Sequence, residues 1–214
     1  MSFYRTREHI NYSYMINDNL LLSAGNVITD LGIVFDRELN FHAHLDKICC
    51  KALKTLGFIR RISNEFKLVS SLKSLYCAFV RSILEYGSVV WDPGTFCGKK
   101  QVERVQRKFL NIAAYKLKID HPPHDYSPVM HRLGMNTLAD RRLEANLIFL
   151  RRLIDGHVDS PELLAQINFK VPSFHSRQLI IFSLPKCNTN YAKNQPLYRM
   201  MSIANKDPSA LLYY

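Results

Sequence analysis

Two sets of cations in this chain are spaced to act together. Lys47, Lys51, Lys54 and Arg61 follow an i, i+4, i+7, i+14 pattern, and Lys100, Arg104, Arg107 and Lys108 repeat the i, i+4, i+7 part of it. At about 100° per residue the first four fall within a sector roughly 80° wide on a helix. A row of ammonium and guanidinium groups along one side of a rod can follow a phosphate backbone. No motif for reading base edges accompanies the rows, so the binding they predict is indifferent to sequence. Like charges at i, i+4 also cost an isolated helix a few tenths of a kcal/mol per pair, about 0.2–0.5. The rows therefore work slightly against folding, which fits a counter-ion supplied by a ligand.

Other chemistries fail on spacing. Two-metal catalysis needs carboxylates that share divalent cations, and no two acidic residues are adjacent here. Asp36, at the end of a strand-like run, is expected to form a turn. His42, His44, Cys49 and Cys50 crowd one helix start but match no zinc-ligand spacing, and the two cysteines point about 100° apart. A core cysteine with surface histidines is expected there. His121 and His124 read as loop residues. There is no nucleophile elbow, and the eight glycines are scattered singly, so no phosphate-cradling loop is present. No catalytic residue, metal ligand or cofactor is expected.

The elements that must carry the rows are legible from charge and periodicity. The formal net charge is +11, and its distribution is uneven: −2 over residues 1–40, +10 over 41–118 and +3 over 119–214. The excess sits on the central stretch, which points to a polyanionic partner; the plain alternative is a lysine-rich solvated surface. With 47% apolar and 22% charged residues the chain is globular. It has no apolar run long enough for a signal peptide or a membrane span, so no membrane partner is expected. Five irregularly spaced cysteines then read as reduced intracellular thiols.

Residues 1–39 read as strands and turns. Tyr14 and Ile16 lead into a turn at Asn17-Asp18-Asn19 from which Leu20 to Leu22 could return, Gly25-Asn26 marks a second turn, and Val27 to Phe35 is a strand candidate with Gly32 as a bulge or close-approach point. Their open edges offer a route to self-association. Asn40 is suited to cap the first long helix, with Leu45, Ile48, Ala52, Leu56 and Ile59 inward. A second helix, capped at Ser70 or Ser71, carries Leu72, Leu75, Tyr76, Phe79 and Ile83 and is expected to be the buried centre, ending near Gly87. Trp91, before the Asp92-Pro93-Gly94 turn, is expected to be a core anchor rather than a stacking platform. The third helix is expected over Lys100 to Leu117, with Val102, Val105, Phe109 and Ile112 inward. After His121-Pro122-Pro123-His124, short helices at Ser127-Pro128 and Ser160-Pro161 flank a longer one over Leu138 to Asp155, with Leu143, Leu147, Leu150 and Ile154 inward. Tyr198 to Ala204 could form a last short helix.

Several segments together resemble one family. They are Asp30-Leu31-Gly32-Ile33-Val34-Phe35-Asp36, Lys51-Ala52-Leu53, Leu56-Gly57-Phe58, Val80-Arg81-Ser82-Ile83-Leu84-Glu85-Tyr86, Ser88-Val89-Val90-Trp91 and Glu103-Arg104-Val105-Gln106-Arg107-Lys108-Phe109-Leu110. Tyr126-Ser127-Pro128, Arg141-Arg142 and Pro161-Glu162-Leu163-Leu164 fit its more variable tail. The sequence is similar to the C-terminal part of reverse transcriptases of jockey-like non-LTR retrotransposons. The resemblance implies a mainly α fold: a helical thumb-like bundle at 40–118, preceded at 1–39 by a few β-strands left from a truncated palm sheet, with a helical connector and irregular tail at 119–214. It implies that Leu31 and Gly32 lie in a primer-grip-like hairpin. Fingers, most of the palm and the catalytic Asp pair would lie ahead of Met1, so no catalytic residue carries over and the chain is not expected to be an enzyme on its own. The implied partner is an RNA–DNA hybrid or another duplex, bound without sequence preference, in an intracellular setting with the nucleus as one candidate. The alternative is a non-catalytic helical interaction module or an inert relic of a mobile element.

Overall fold

The structure, a computed structural model, describes residues 3, 13–20, 25–63, 69–171 and 180–209. It is mainly helical, with two small antiparallel sheets ahead of the helices, which is the expected class. The chain forms two compact units, Met1–Leu84 and Glu85–Tyr214.

In the first unit, β1 (Met15–Ile16) pairs with β2 (Asn19–Leu20) through a two-residue turn. Asn17 and Asp18 both have positive φ there, which short polar side chains tolerate. Of the expected return strand, Leu21 and Leu22 lie outside the described residues. The run from Val27 to Phe35 is not the single strand expected. It is a hairpin of β3 (Val27–Asp30) and β4 (Ile33–Asp36), in the register Val27↔Asp36 to Asp30↔Ile33. Leu31 and Gly32 make its turn, at φ 45° and 84°. Gly32 therefore serves a hairpin turn rather than a bulge. Period-2 alternation cannot reveal such a reversal, because it is the same on both sides of a two-residue turn.

Asp36 closes the hairpin onto α1 (His42–Ile62): its two carboxylate oxygens accept from Asn40 N and Phe41 N, each at 3.0 Å. Turn formation, the expected role, is what it does. The N-cap is Phe41, at φ 58°, one residue after the Asn40 expected, though Asn40 Oδ1 accepts from His42 N at 3.0 Å and satisfies the first helical N–H. Leu45, Ile48, Ala52, Leu56 and Ile59 are buried as their spacing predicted. His44 is the exception to the expected surface histidines. It is buried, and its Nδ1 accepts from Val34 N at 3.2 Å, fixing β4 against α1.

The next helix runs from α2 (Val69–Leu75) through a π-helical stretch (Tyr76–Arg81) into α3 (Ser82–Glu85). Its buried stripe is Leu72, Tyr76, Val80 and Leu84, while Phe79 is 56% exposed. The expected stripe through Phe79 and Ile83 assumed α-helical winding. The wider π turns shift the inward positions to a steady interval of four. The helix is therefore buried on one face only, not all round. Gly87 takes the expected place after its end, at φ 62°.

The second unit is built on α4 (Ser88–Trp91), α5 (Phe96–Leu117), α6 (Ser127–Leu133), α7 (Leu138–Ile154), α8 (Pro161–Leu164), α9 (Asn190–Asn194) and α10 (Pro196–Lys206). Trp91 is fully buried and donates from Nε1 to Tyr86 O at 2.7 Å, the expected core anchor. Helix α5 starts four residues earlier than expected, because Thr95 is its N-cap and accepts from Gly98 N. Val102, Val105 and Phe109 are buried in it, with Leu110, Ala113 and Ala114. On α7, Leu147, Leu150 and Leu153 pack with Phe182, Leu197 and Met200, whereas Leu143, expected inward, is exposed. Asn205 of α10 accepts from Ile181 N and Phe182 N and donates to Phe182 O, holding the preceding segment against the helix.

Candidate nucleic-acid interface

Helix α1 positions the first basic row. Because Leu45, Ile48, Ala52, Leu56 and Ile59 turn one side of it inward, Lys47, Lys51, Lys54 and Arg61 are placed on the other, and all four are exposed. Helix α5 does the same for the second row. Burial of Val102, Val105 and Phe109 leaves Lys100, Arg104, Arg107 and Lys108 exposed. Among the described residues none of these eight cations makes an ion pair. They differ in this from Arg141, Arg142 and Arg199, whose charges are all used inside the second unit. The first row belongs to the first unit and the second row to the second.

Leu31 and Gly32 form the tip of the β3–β4 hairpin. Leu31 is 82% exposed and in the left-handed region, which an unbranched or polar residue occupies more easily. The structure thus places the tip outside any core, with a strained backbone at Leu31.

The exposed aromatic side chains are the feature that the spacing of the cations did not bring out. Phe58 lies on α1 four residues after Lys54 and three before Arg61, on the basic side, and is exposed. Phe96 and Tyr115 stand at the two ends of the α5 row, and Lys100 Nζ sits 5.8 Å from the Phe96 ring centroid. A helical wheel drawn for the aromatics as well as the cations would have found all three.

The acidic and amide groups beside α5 are committed to architecture. Glu103 Oε1 accepts from Ala139 N at 2.7 Å, at the start of α7, and lies 3.8 Å from Arg142 Nη2. Gln106 Nε2 donates to Asn136 O at 2.9 Å. Both residues line an open cleft of about 380 Å³ with Arg107, Leu110, Tyr126 and Met130. Asp125 on its rim is hydrogen-bonded by the Ser127 side chain and also accepts from Ser127 N at 2.9 Å; these bonds, the side-chain one first, hold its carboxyl below the usual carboxylate range. Glu103 and Gln106 thus fasten the start of α7 and the turn before it to α5.

Behind α5 lies a polar network that the sequence did not announce. Asp92 accepts from Arg142 Nε at 3.0 Å and from Asn146 Nδ2 at 3.3 Å, and lies 3.6 Å from Arg199 Nε. Arg199 also donates to Val89 O at 2.8 Å and Asn194 O at 3.0 Å. Burial lowers the Arg199 pKa, and the Asp92 carboxylate opposes that effect. A second pair joins Arg141 to Glu85, with Nη2 at 3.0 Å from Oε2 and Nε on Oε1. Among the described residues no group of three His, Cys, Asp or Glu side chains could hold a metal ion, and no helix is long and apolar enough to cross a membrane.

No protein-family model matches the chain, and no solved structure matches it. The chain is similar to an uncharacterized protein of Caenorhabditis elegans, with 25% identity over 187 residues that span 83% of this chain and 91% of that one.

Proposed function

We propose that this chain is a nucleic-acid-gripping helical protein, akin to the thumb and connector of a non-LTR retrotransposon reverse transcriptase, that binds without sequence preference and does not polymerise. The observation that carries this reading is the state of the eight cations: solvent-exposed, aligned in rows on the outer sides of two long helices, and unpaired among the described residues. Rows of this kind give affinity through counter-ion release. The segments quoted for the family resemblance support the same reading in another way. Glu85, Trp91, Glu103, Arg141 and Arg142 hold the second unit together, as residues of a shared architecture would. No position of the chain corresponds to a catalytic carboxylate pair, and the partner is an RNA–DNA hybrid or a similar duplex. An intracellular site of action, nuclear where the partner is, belongs to this proposal.

The test is binding of the purified chain to a labelled RNA–DNA hybrid across a salt series. Six to ten phosphate contacts predict a loss of about 10³–10⁵ in affinity between roughly 50 and 200 mM salt. Charge reversal at Lys51 and at Arg104 should weaken binding with the fold intact. Primer extension by the chain with divalent metal would overturn the non-enzymatic part. No binding at low salt by a folded chain would overturn the whole.

A second reading, self-association through strand edges, has its own observation. Met15, Ile16, Leu20, Val27 and Ile28 on the two hairpins are all exposed. A salt-insensitive oligomer with no affinity for duplexes would favour it.

A further inference from the structure

The solvent side of α5 carries more than charge. Measured around the helix from Lys100 at 100° per residue, Phe96, Arg107, Lys100, Asn111, Arg104, Tyr115 and Lys108 fall in that order within about 120°. All seven are exposed. Phe96 is 76% exposed and Tyr115 is 86% exposed, so neither ring belongs to the core. No carboxylate shares the sector, because Glu103 is turned to Ala139 N and Arg142. Two rings thus bracket a run of cations on one straight element. They are 19 positions apart, or about 28 Å along the axis at 1.5 Å per residue.

We propose that this face of α5 holds an unpaired nucleic-acid strand, with Lys100, Arg104 and Lys108 on its phosphates and Phe96 and Tyr115 each stacked on a base. The proposal rests on the reading of α5 as a nucleic-acid interface and names the form of nucleic acid that this helix takes. An exposed ring gains most from a flat apolar face, and a base offers one only outside a duplex. A blunt duplex exposes base faces at its two ends alone. A helix lying along its backbone would leave both rings idle. An unpaired strand of several nucleotides bridges the separation of the rings, within the roughly 4–16 nucleotides that single-strand sites span. A protein partner fits less well, since Lys is depleted from protein interfaces while this row has one at each end. A membrane surface fits less well too. Interfacial helices sink a continuous apolar face, and the apolar face of α5 is already packed inside the second unit.

The experiment uses the full chain and three labelled probes: an oligonucleotide of about 12 nucleotides, long enough to span the row, a blunt RNA–DNA hybrid of the same length, and vesicles rich in phosphatidylserine. Tyr115→Ala and Phe96→Ala should each weaken single-strand binding by roughly 5- to 150-fold, the range for one stacked base. They should leave hybrid affinity and both salt slopes unchanged. Tyr115→Phe should restore single-strand affinity, and unchanged emission of the buried Trp91 verifies the fold of each variant. Equal binding of strand and hybrid, insensitive to both alanine variants, overturns the stacking proposal and leaves the grip standing. Failure of both nucleic acids to bind at low salt overturns the grip itself. Vesicle binding that depends on the same two rings overturns the proposal in favour of a lipid surface.

Discussion

Arg142 and Asp92 are 50 residues apart in the chain and 3.0 Å apart in space, with the Arg142 side chain 2% exposed. The pair locks the turn after Trp91 onto α7. Arg199, reaching Asp92 from α10, brings the last helix to the same point. One carboxylate thus faces the buried Arg142 guanidinium and the partly buried one of Arg199, with Glu103 3.8 Å from Arg142 as partial compensation.

Removing that carboxylate should be far worse than its single charge suggests. Asp92→Ala removes the partner of buried Arg142 and a neighbour of partly buried Arg199, and breaking a buried pair from one side costs about 3–5 kcal/mol. Asp92→Asn keeps an acceptor for Arg142 Nε and should cost less. Urea unfolding followed by Trp91 emission reports on this unit directly. A loss below about 1 kcal/mol for the alanine variant would show that the network adds little.

Arg142 also shows where sequence reading stops. Helix α7 was visible from its apolar repeat and its bounds were nearly right. The ion pairs of Arg141 and Arg142, however, left no mark in the sequence, because periodicity assigns a residue to a face and says nothing about a partner 50 positions away. Phe79 was missed for a local reason, the π turns that reset the inward positions. The basic rows were legible because a row on one helix depends only on spacing. The β3–β4 hairpin was not legible from the residues, since Leu31-Gly32 is not among the strong two-residue turn signals.

His44 makes the first unit sensitive to acid. Burial, and then the charge of Lys47, pull its pKa below the ordinary value of 6.5. The folded state therefore holds the imidazole neutral, with Nδ1 accepting from Val34 N. The unfolded chain binds a proton near pH 6.5 while the folded chain resists it. The contribution of His44 is thus fully present above that pH and is lost as pH falls from 6.5 through the folded pKa. Stability measured between pH 8 and pH 5 should fall in that window. His44→Asn retains an acceptor for Val34 N without titrating and should flatten the profile. A variant as acid-sensitive as the parent would assign the effect to other groups.

The hairpin tip should be open to stabilisation. Leu31 holds φ at 45° with its side chain in solvent, and a left-handed non-glycine residue costs about 1–3 kcal/mol. Asn suits the first position of such a turn ahead of Gly32. Leu31→Asn should therefore raise the unfolding midpoint, by up to about 1 kcal/mol in stability. If the tip grips a primer strand as the resemblance implies, the same change should weaken hybrid binding. A variant that is stabler and binds equally well would remove the tip from the interface.

The α5 row should separate stability from binding in the same way. Lys100 and Arg104, and Arg104 and Lys108, are like charges at i, i+4, with no ion pair among the described residues to offset them. Replacing Lys100, Arg104, Arg107 and Lys108 together with Gln removes two repulsive pairs, each costing about 0.2–0.5 kcal/mol, so the variant should unfold at slightly higher urea. Its nucleic-acid affinity should fall, and the slope of log K against log salt should become shallower by up to about 3.6 for a duplex if all four cations meet phosphates. A solvated surface that happens to be basic would give the first effect without the second. The combination of a stabler fold and a flatter salt slope is therefore what distinguishes a row kept for a polyanion from one that merely faces water.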